Sequence, residues 1–101
     1  MGAKKYVKIP VEIEAIQLFK GAKVLNECLT FMGNDNFING DIQYKNFVEF
    51  QQAVITHNGI IIKTLSDEVV CAWEDYIMKG VHGEFYPCVK SVFEESYKEV
   101  K

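Results

Sequence analysis

The second half of the chain constrains the fold most, because short apolar segments alternate there with turn signals. Five such segments follow one another: 53–57, 60–65, 68–73, 76–81 and 84–88. Asn58-Gly59 lies between the first two, and Asn-Gly is the strongest short-range signal for a β-hairpin. His82-Gly83 lies between the last two and suits a type I′ turn. We therefore predict an antiparallel meander in which Ile55 pairs with Ile62.

The beginning of the chain carries a further strand pattern over residues 7–19. Apolar and charged residues alternate up to Ala15, and the phase then slips so that Ile16 and Leu18 become the apolar positions. Because a slip of one residue turns later side chains to the other face, we predict a β-bulge near Ala15 and Ile16. Pro10 cannot donate a ladder hydrogen bond, which favours an edge strand or a late entry into the sheet.

Two segments have the apolar spacing of helices. Residues 22–32 form the first, and Gly33 supplies a stop signal after a beginning that lacks a good capping side chain. Residues 91–99 form the second, where Ser91 and Glu94 have the spacing of a capping box.

The whole pattern predicts one domain over residues 1–101, because a chain of this length builds a single core. Its class is α+β, with a mainly antiparallel, curled sheet of five or six strands and two short helices. A small rolled β-barrel is the alternative. Residues 34–46, rich in Asn, Asp and Gly, predict a loop, and residues 47–50 fit either a strand or a helical turn.

Charge and cysteine content limit the function classes. The net charge is −3, and all 11 basic residues are lysines. Without arginine there is no bidentate fork for phosphate or guanine, which makes a nucleic-acid partner improbable. The 3 cysteines are an odd number without zinc-ligand spacing, so we predict reduced, buried thiols and no metal or cofactor.

Catalytic motifs are absent from the sequence. It contains no G-x-S-x-G, phosphate loop, dinucleotide fingerprint or H-E-x-x-H. His57 and His82 border predicted turns, and a pairing of either with Cys88 would be the one route to a small hydrolase. We expect no enzymatic activity, with a small Cys/His enzyme as an alternative.

The last hairpin offers a candidate binding surface. Its expected register places four residues on a core-facing side: Tyr76, Met78, Phe85 and Pro87. The opposite side then presents Lys79, Glu84 and Tyr86, a mixture of charge and aromatic surface that suits an interface anchor. The competing interpretation is that the C-terminal helix covers this side through Phe93 and Tyr97.

Two stretches carry a family resemblance. Lys8-Ile-Pro-Val-Glu-Ile-Glu-Ala-Ile-Gln-Leu18 and Asp75-Tyr-Ile-Met-Lys-Gly-Val-His-Gly-Glu-Phe-Tyr-Pro-Cys88, the latter followed by Val92-Phe-Glu-Glu-Ser-Tyr97, resemble a family of small phage and prophage proteins of unassigned function. That family usually has Gly-Asp where this chain has Glu74-Asp75, which predicts a looser turn after Trp73.

The resemblance implies a phage or prophage gene of a low-GC Gram-positive host and supplies no catalytic residue. We expect an accessory protein in the host cytoplasm, since no secretory signal or apolar run of membrane-spanning length is present. Its expected role is to bind a host or phage protein, and a nucleic-acid-associated module that uses the aromatic strand face is the alternative.

Overall fold

The computed structural model describes residues 2–7, 9, 11–33, 38–39, 42–43, 45–64 and 66–100. The helices within this part are α1 (Ala22–Phe31), α2 (Phe47–His57) and α3 (Lys90–Ser96). The strands are β1 (Glu14–Gln17), β2 (Ile38–Asn39), β3 (Ile42–Gln43), β4 (Gly59–Lys63), β5 (Glu68–Ala72), β6 (Tyr76–Lys79) and β7 (Phe85–Cys88). No helix among the described residues has the length and apolar character needed to cross a membrane.

The strands form antiparallel ladders, which confirms the α+β class. One sheet has the order β1-β6-β7, β4 pairs with β5, and β2 and β3 form a two-residue ladder inside the predicted loop. No described sheet closes on itself, so the barrel alternative is wrong. The meander is interrupted after β5, because β6 pairs with β1 and β7 instead.

The predicted long first strand is reduced to the four residues of β1. Glu14 pairs with Lys79, the last residue of β6 before its turn, and the described residues before Glu14 have no partner strand. Pairing continues without a bulge from Ala15 to Gln17, and the bulge prediction is wrong. The later apolar set enters the core, with Leu18 fully buried, and the earlier set stays outside. β1 is an edge strand as predicted, although Pro10 lies outside the described residues.

Helix α1 confirms the first helical prediction. It buries Leu25, Cys28 and Leu29 on one side and has no side-chain cap at its beginning. Gly33 follows the helix with φ of +68°, a left-handed conformation that glycine adopts without a steric cost.

Helix α2 corrects the predicted first hairpin. Residues 53–57, expected as a strand, are the last turns of a helix that begins at Phe47. Asn58 is its left-handed C-cap, with φ of 57°, and Gly59 already belongs to β4. Ile55 therefore does not pair with Ile62, and β4 pairs with β5 instead.

Helix α3 confirms the final helix and corrects its cap. Val89 occupies the N-cap position, Ser91 lies inside the helix, and no side-chain cap hydrogen bond forms there. The backbone N–H of Lys90 instead donates to Asp75 Oδ1 at 2.9 Å. A side chain distant in sequence thus satisfies one of the free N–H groups at the beginning of α3.

We expect Asn46→Ala to lower the free energy of unfolding by about 1 kcal/mol, because Asn46 Oδ1 accepts the Glu49 N–H at 2.9 Å and caps α2. Ser91→Ala is the matched control, with an expected change within about 0.5 kcal/mol because its hydroxyl caps nothing. Urea denaturation of both variants measures the two values. If Ser91→Ala lost as much stability as Asn46→Ala, the Ser91 hydroxyl would act as a helix cap, which would contradict Val89 as the N-cap of α3.

The hairpin of β6 and β7 is confirmed with a register one residue away from the expected one. Met78 pairs with Tyr86, and Lys79 pairs with Phe85. Gly80 N–H donates to the Glu84 carbonyl at 2.7 Å, so the loop has three residues and ends at Gly83, whose φ is +80°. Three-residue hairpin loops place a left-handed residue at this position.

The turn after Trp73 is tight, and the looser turn that we expected is wrong. Asp75 N–H donates to the Ala72 carbonyl at 3.2 Å, and Glu74 N–H donates to the Leu18 carbonyl at 2.6 Å. Glu74 adopts φ of 73° to close the turn, a conformation that costs an L-residue about 1–2 kcal/mol.

Glu74→Gly is therefore expected to raise the free energy of unfolding by about 0.5 kcal/mol. Relief of the backbone strain exceeds the greater entropy that glycine gives the unfolded chain. The control is Glu74→Gln, which keeps the strain and removes the exposed contact of Glu74 with Lys90 Nζ at 3.7 Å. Thermal melts compare the two, and a glycine variant no more stable than the glutamine variant would contradict the strain.

One core joins the helices to both larger sheets. Its buried side chains come from the residue directly after β1, from α1 and α2, and from β4, β5 and β6. They are Leu18, Leu25, Cys28, Leu29, Phe50, Val54, Ile60, Ile62, Cys71 and Ile77. Helix α3 contributes no buried residue and lies at the edge of this core. The side chains of α3 consequently remain at least partly accessible at the surface.

Candidate binding groove

The structure separates the three residues that the sequence predicted as one binding face. Residues that pair directly share a face, so Tyr86 lies with Met78, while Lys79 lies with Phe85 on the opposite face. Glu84 closes its own turn, where its Oε2 accepts the His82 N–H at 3.1 Å. The prediction of a shared face is wrong because the three-residue loop shifts the register by one.

The Cys/His alternative gains no geometric support from the described residues. His57 lies at the end of α2, where Nδ1 is 2.8 Å from the Ala53 carbonyl. His82 lies in the loop at one end of the last hairpin, whereas Cys88 pairs with Tyr76 at the other end. No group of three or more His, Cys, Asp or Glu among the described residues is placed to hold a metal ion.

The two central cysteines are structural. Cys28 and Cys71 are free and fully buried, as predicted, and burial raises the pKa of each thiol to about 12. A thiol with such a pKa stays protonated at neutral pH and is a poor nucleophile or metal ligand.

A stack of three aromatic rings joins β6 to α3. The ring centroids of Tyr76 and Phe93 are 3.9 Å apart with 15° between the planes, and those of Phe93 and Tyr97 are 4.9 Å apart. Tyr76 Oη donates to Glu94 Oε2 at 3.0 Å. All three rings are half-buried, so the stack holds α3 on the sheet and still presents aromatic surface to solvent.

This stack forms the floor of an open groove with a volume of about 900 Å³. One wall is the chain that leads into β1, and the other is α3 with the residues that follow it. The lining side chains outside the stack are Val11, Glu12, Ile13, Ala15, Glu94, Lys98, Glu99 and Val100. We refer to this feature as the aromatic groove.

The aromatic groove carries an acidic balance. Among the described lining residues, Glu12, Glu94 and Glu99 stand against the ammonium group of Lys98. Burial, the hydrogen bond to Glu94 and the charges of Glu94 and Glu99 together raise the pKa of Tyr76. The carboxylate of Glu94, which accepts the hydrogen bond from the Tyr76 hydroxyl, therefore lies directly beside the aromatic floor.

A smaller pocket of about 290 Å³ lies beside Trp73. The indole Nε1 donates to Asn58 Oδ1 at 2.7 Å, and Lys20 Nζ lies 5.5 Å from the ring centroid. These contacts tie the helix α2 cap to the turn before β6. The polar edge and one face of the indole are already engaged within the chain, so the aromatic groove offers the more available surface.

The sequence drew attention to several residues of the aromatic groove but did not predict that they lie together. Tyr76 was expected in the core, Phe93 and Tyr97 on the C-terminal helix, and Glu94 in the capping box of that helix. The fold brings the groove residues together from the two ends of the chain. Compared with known protein families, curated proteins and solved structures, the chain gives no significant match.

Proposed function

We propose that the protein is a non-enzymatic binding module of a phage or prophage, which holds a segment of another protein in the aromatic groove. The observation that carries this proposal is the half-exposed stack of Tyr76, Phe93 and Tyr97. Rigid aromatic rings bordered by charged residues are typical of protein interface anchors.

The construction of α3 supports a binding role for its exposed surface. The helix is short and buries no residue, and it is held by the aromatic stack and the bond from Lys90 N–H to Asp75. Apolar side chains at the rims remain in solvent, with Val11 49% and Val100 74% exposed. A partner segment that covers these rims would remove apolar area from water, which favours association.

The charges of the groove favour one chemical class of partner. Among the described lining residues three carboxylates stand against one ammonium group, so a phosphate backbone would meet repulsion there. A protein segment with lysine or arginine side chains would meet complementary charge and aromatic faces that attract cations. The resemblance at the two ends of the chain supports the phage context, with a host or phage protein in the host cytoplasm as the partner.

Two alanine variants test the site of binding. Wild type, Tyr97→Ala and Tyr86→Ala are used to capture partners from lysate of infected host cells, and circular dichroism checks that each variant is folded. We expect Tyr97→Ala to lose the partner and Tyr86→Ala to keep it. Of these two tyrosines, Tyr97 lines the aromatic groove and Tyr86 does not. The reverse result would move the binding surface to the last hairpin.

Direct titrations complete the test of the module. A captured partner is purified and titrated with wild type and Tyr97→Ala, and we expect at least a tenfold weaker Kd for the variant, the usual scale of an aromatic anchor. Equal affinities would contradict binding in the groove. Micromolar or tighter binding of mixed-sequence DNA at physiological salt would contradict the proposed class of partner.

A further inference from the structure

The described residues before the groove wall are all exposed and form an arm. We define the arm as residues 2–9, of which the structure describes 2–7 and 9. Its apolar side chains lie in solvent, with Tyr6 88%, Val7 94% and Ile9 75% exposed. Because β6 ends at Lys79, opposite Glu14, no described strand of the same sheet pairs with the described residues of the arm. The exposed apolar side chains of the arm thus lie outside the described sheets.

The chemistry of the arm is complementary to that of the aromatic groove. Its sequence, Gly-Ala-Lys-Lys-Tyr-Val-Lys-Ile, has three lysines and no acidic residue. The groove offers Glu12, Glu94 and Glu99 and a floor of aromatic rings. Lysine ammonium groups are attracted both by carboxylates and by aromatic faces, and the apolar residues of the arm match the aliphatic rims of the groove.

We infer that the arm of a second copy of this chain docks in the aromatic groove, so that two copies exchange arms reciprocally. The chain's own arm comes shortly before Val11 in the sequence, Val11 is itself part of the groove wall, and the apolar side chains of Tyr6, Val7 and Ile9 lie in solvent. Eight extended residues span about 26 Å, enough to cross to a neighbouring groove. Each copy has one arm and one groove, so the exchange closes as a two-fold dimer.

The inference rests on the proposed function only in that the groove accepts a peptide segment. It adds that this chain contains such a segment, and that self-association competes with the foreign partner for the same surface. Both contacts use exposed charges, so the dimer weakens when salt is raised.

Three variants with matched charge changes test the exchange. The arm variant is Lys4→Glu with Lys5→Glu, and the groove variant is Glu12→Lys with Glu99→Lys. The control is Lys23→Glu with Lys45→Glu, which makes the same charge change as the arm variant on exposed residues outside the groove. All six side chains are exposed, so the fold is expected to remain intact, which circular dichroism verifies.

Sedimentation velocity over about 10–500 μM protein measures the dimer, since weak complexes of this kind dissociate in the micromolar range. We expect wild type and control to dimerise with Kd values within about twofold of each other, and the arm and groove variants each to weaken the dimer roughly tenfold or more. An equimolar mixture of the arm and groove variants should dimerise again, because each arm then meets a groove of opposite charge.

Three results would overturn the inference: a wild type that stays monomeric over this range, an arm variant that dimerises like the control, or a mixture that stays monomeric. A monomeric wild type that binds its captured partner through Tyr97 would overturn the arm exchange and leave the proposed function standing. A charge-dependent dimer of a protein that captures no partner would support the arm exchange and overturn the proposed function.

Discussion

Phe50→Ala is expected to lower the free energy of unfolding by about 3–5 kcal/mol, because it removes a large, fully buried side chain from the centre of the core. Phe50 lies at the end of the first turn of α2 and packs among the buried residues of α1, β4 and β5. A loss of this size is a large fraction of the stability of a small domain, so part of the variant population should unfold at 37 °C. Urea denaturation followed by the fluorescence of Trp73, the sole tryptophan, measures the loss.

Ile55→Ala is the control, and it distinguishes the helix from the hairpin that the sequence suggested. In the hairpin, Ile55 would pair with Ile62 and its removal would cost a cross-strand contact. In α2 it is 73% exposed, so we expect a change within about 0.5 kcal/mol. A loss of several kcal/mol in Ile55→Ala would show that residues 53–57 are not the helix described here.

The sequence predicted the class of fold because the spacing of apolar residues, a local property, identified most of the helices and strands correctly. Helix α1, β4 and the pairing of β6 with β7 follow from apolar spacing and from glycines at turns. Helix α2 was missed because Asn-Gly suits two structures: both a type I′ turn and a left-handed helix cap require positive φ. The signal that decides between them lies upstream, where Asn46 and Glu49 have the spacing of a helix start.

The candidate site was less predictable, for two physical reasons. Gly83 suits both a two-residue type I′ turn and a three-residue hairpin loop, and these differ by one residue. The longer loop shifts the register by one and places Tyr86 on the face opposite Lys79. The aromatic groove also joins residues that are about 80 positions apart, such as Glu12 and Glu94. No local sequence pattern predicts that such distant residues meet, because their contact depends on which edge of the sheet β1 occupies.

Gly59→Ala is expected to lower the free energy of unfolding by about 3 kcal/mol, for a reason that differs from the turn the sequence suggested. Gly59 begins β4 with φ of +156°, and a Cβ there would collide with the backbone carbonyl oxygen of Cys71 and lie 2.8 Å from Val70 Cγ1. The first obstacle is backbone of the paired strand β5, which cannot rotate away, so the ladder itself must shift. The control is Gly33→Ala, where φ is +68° and, apart from the chain neighbours, no heavy atom of the described residues lies within 4 Å of the added Cβ; it should cost about 1 kcal/mol from conformation alone. Denaturant melts of the two variants separate the steric cost from the conformational one, and equal losses would mean that β4 and β5 do not approach each other closely at Gly59.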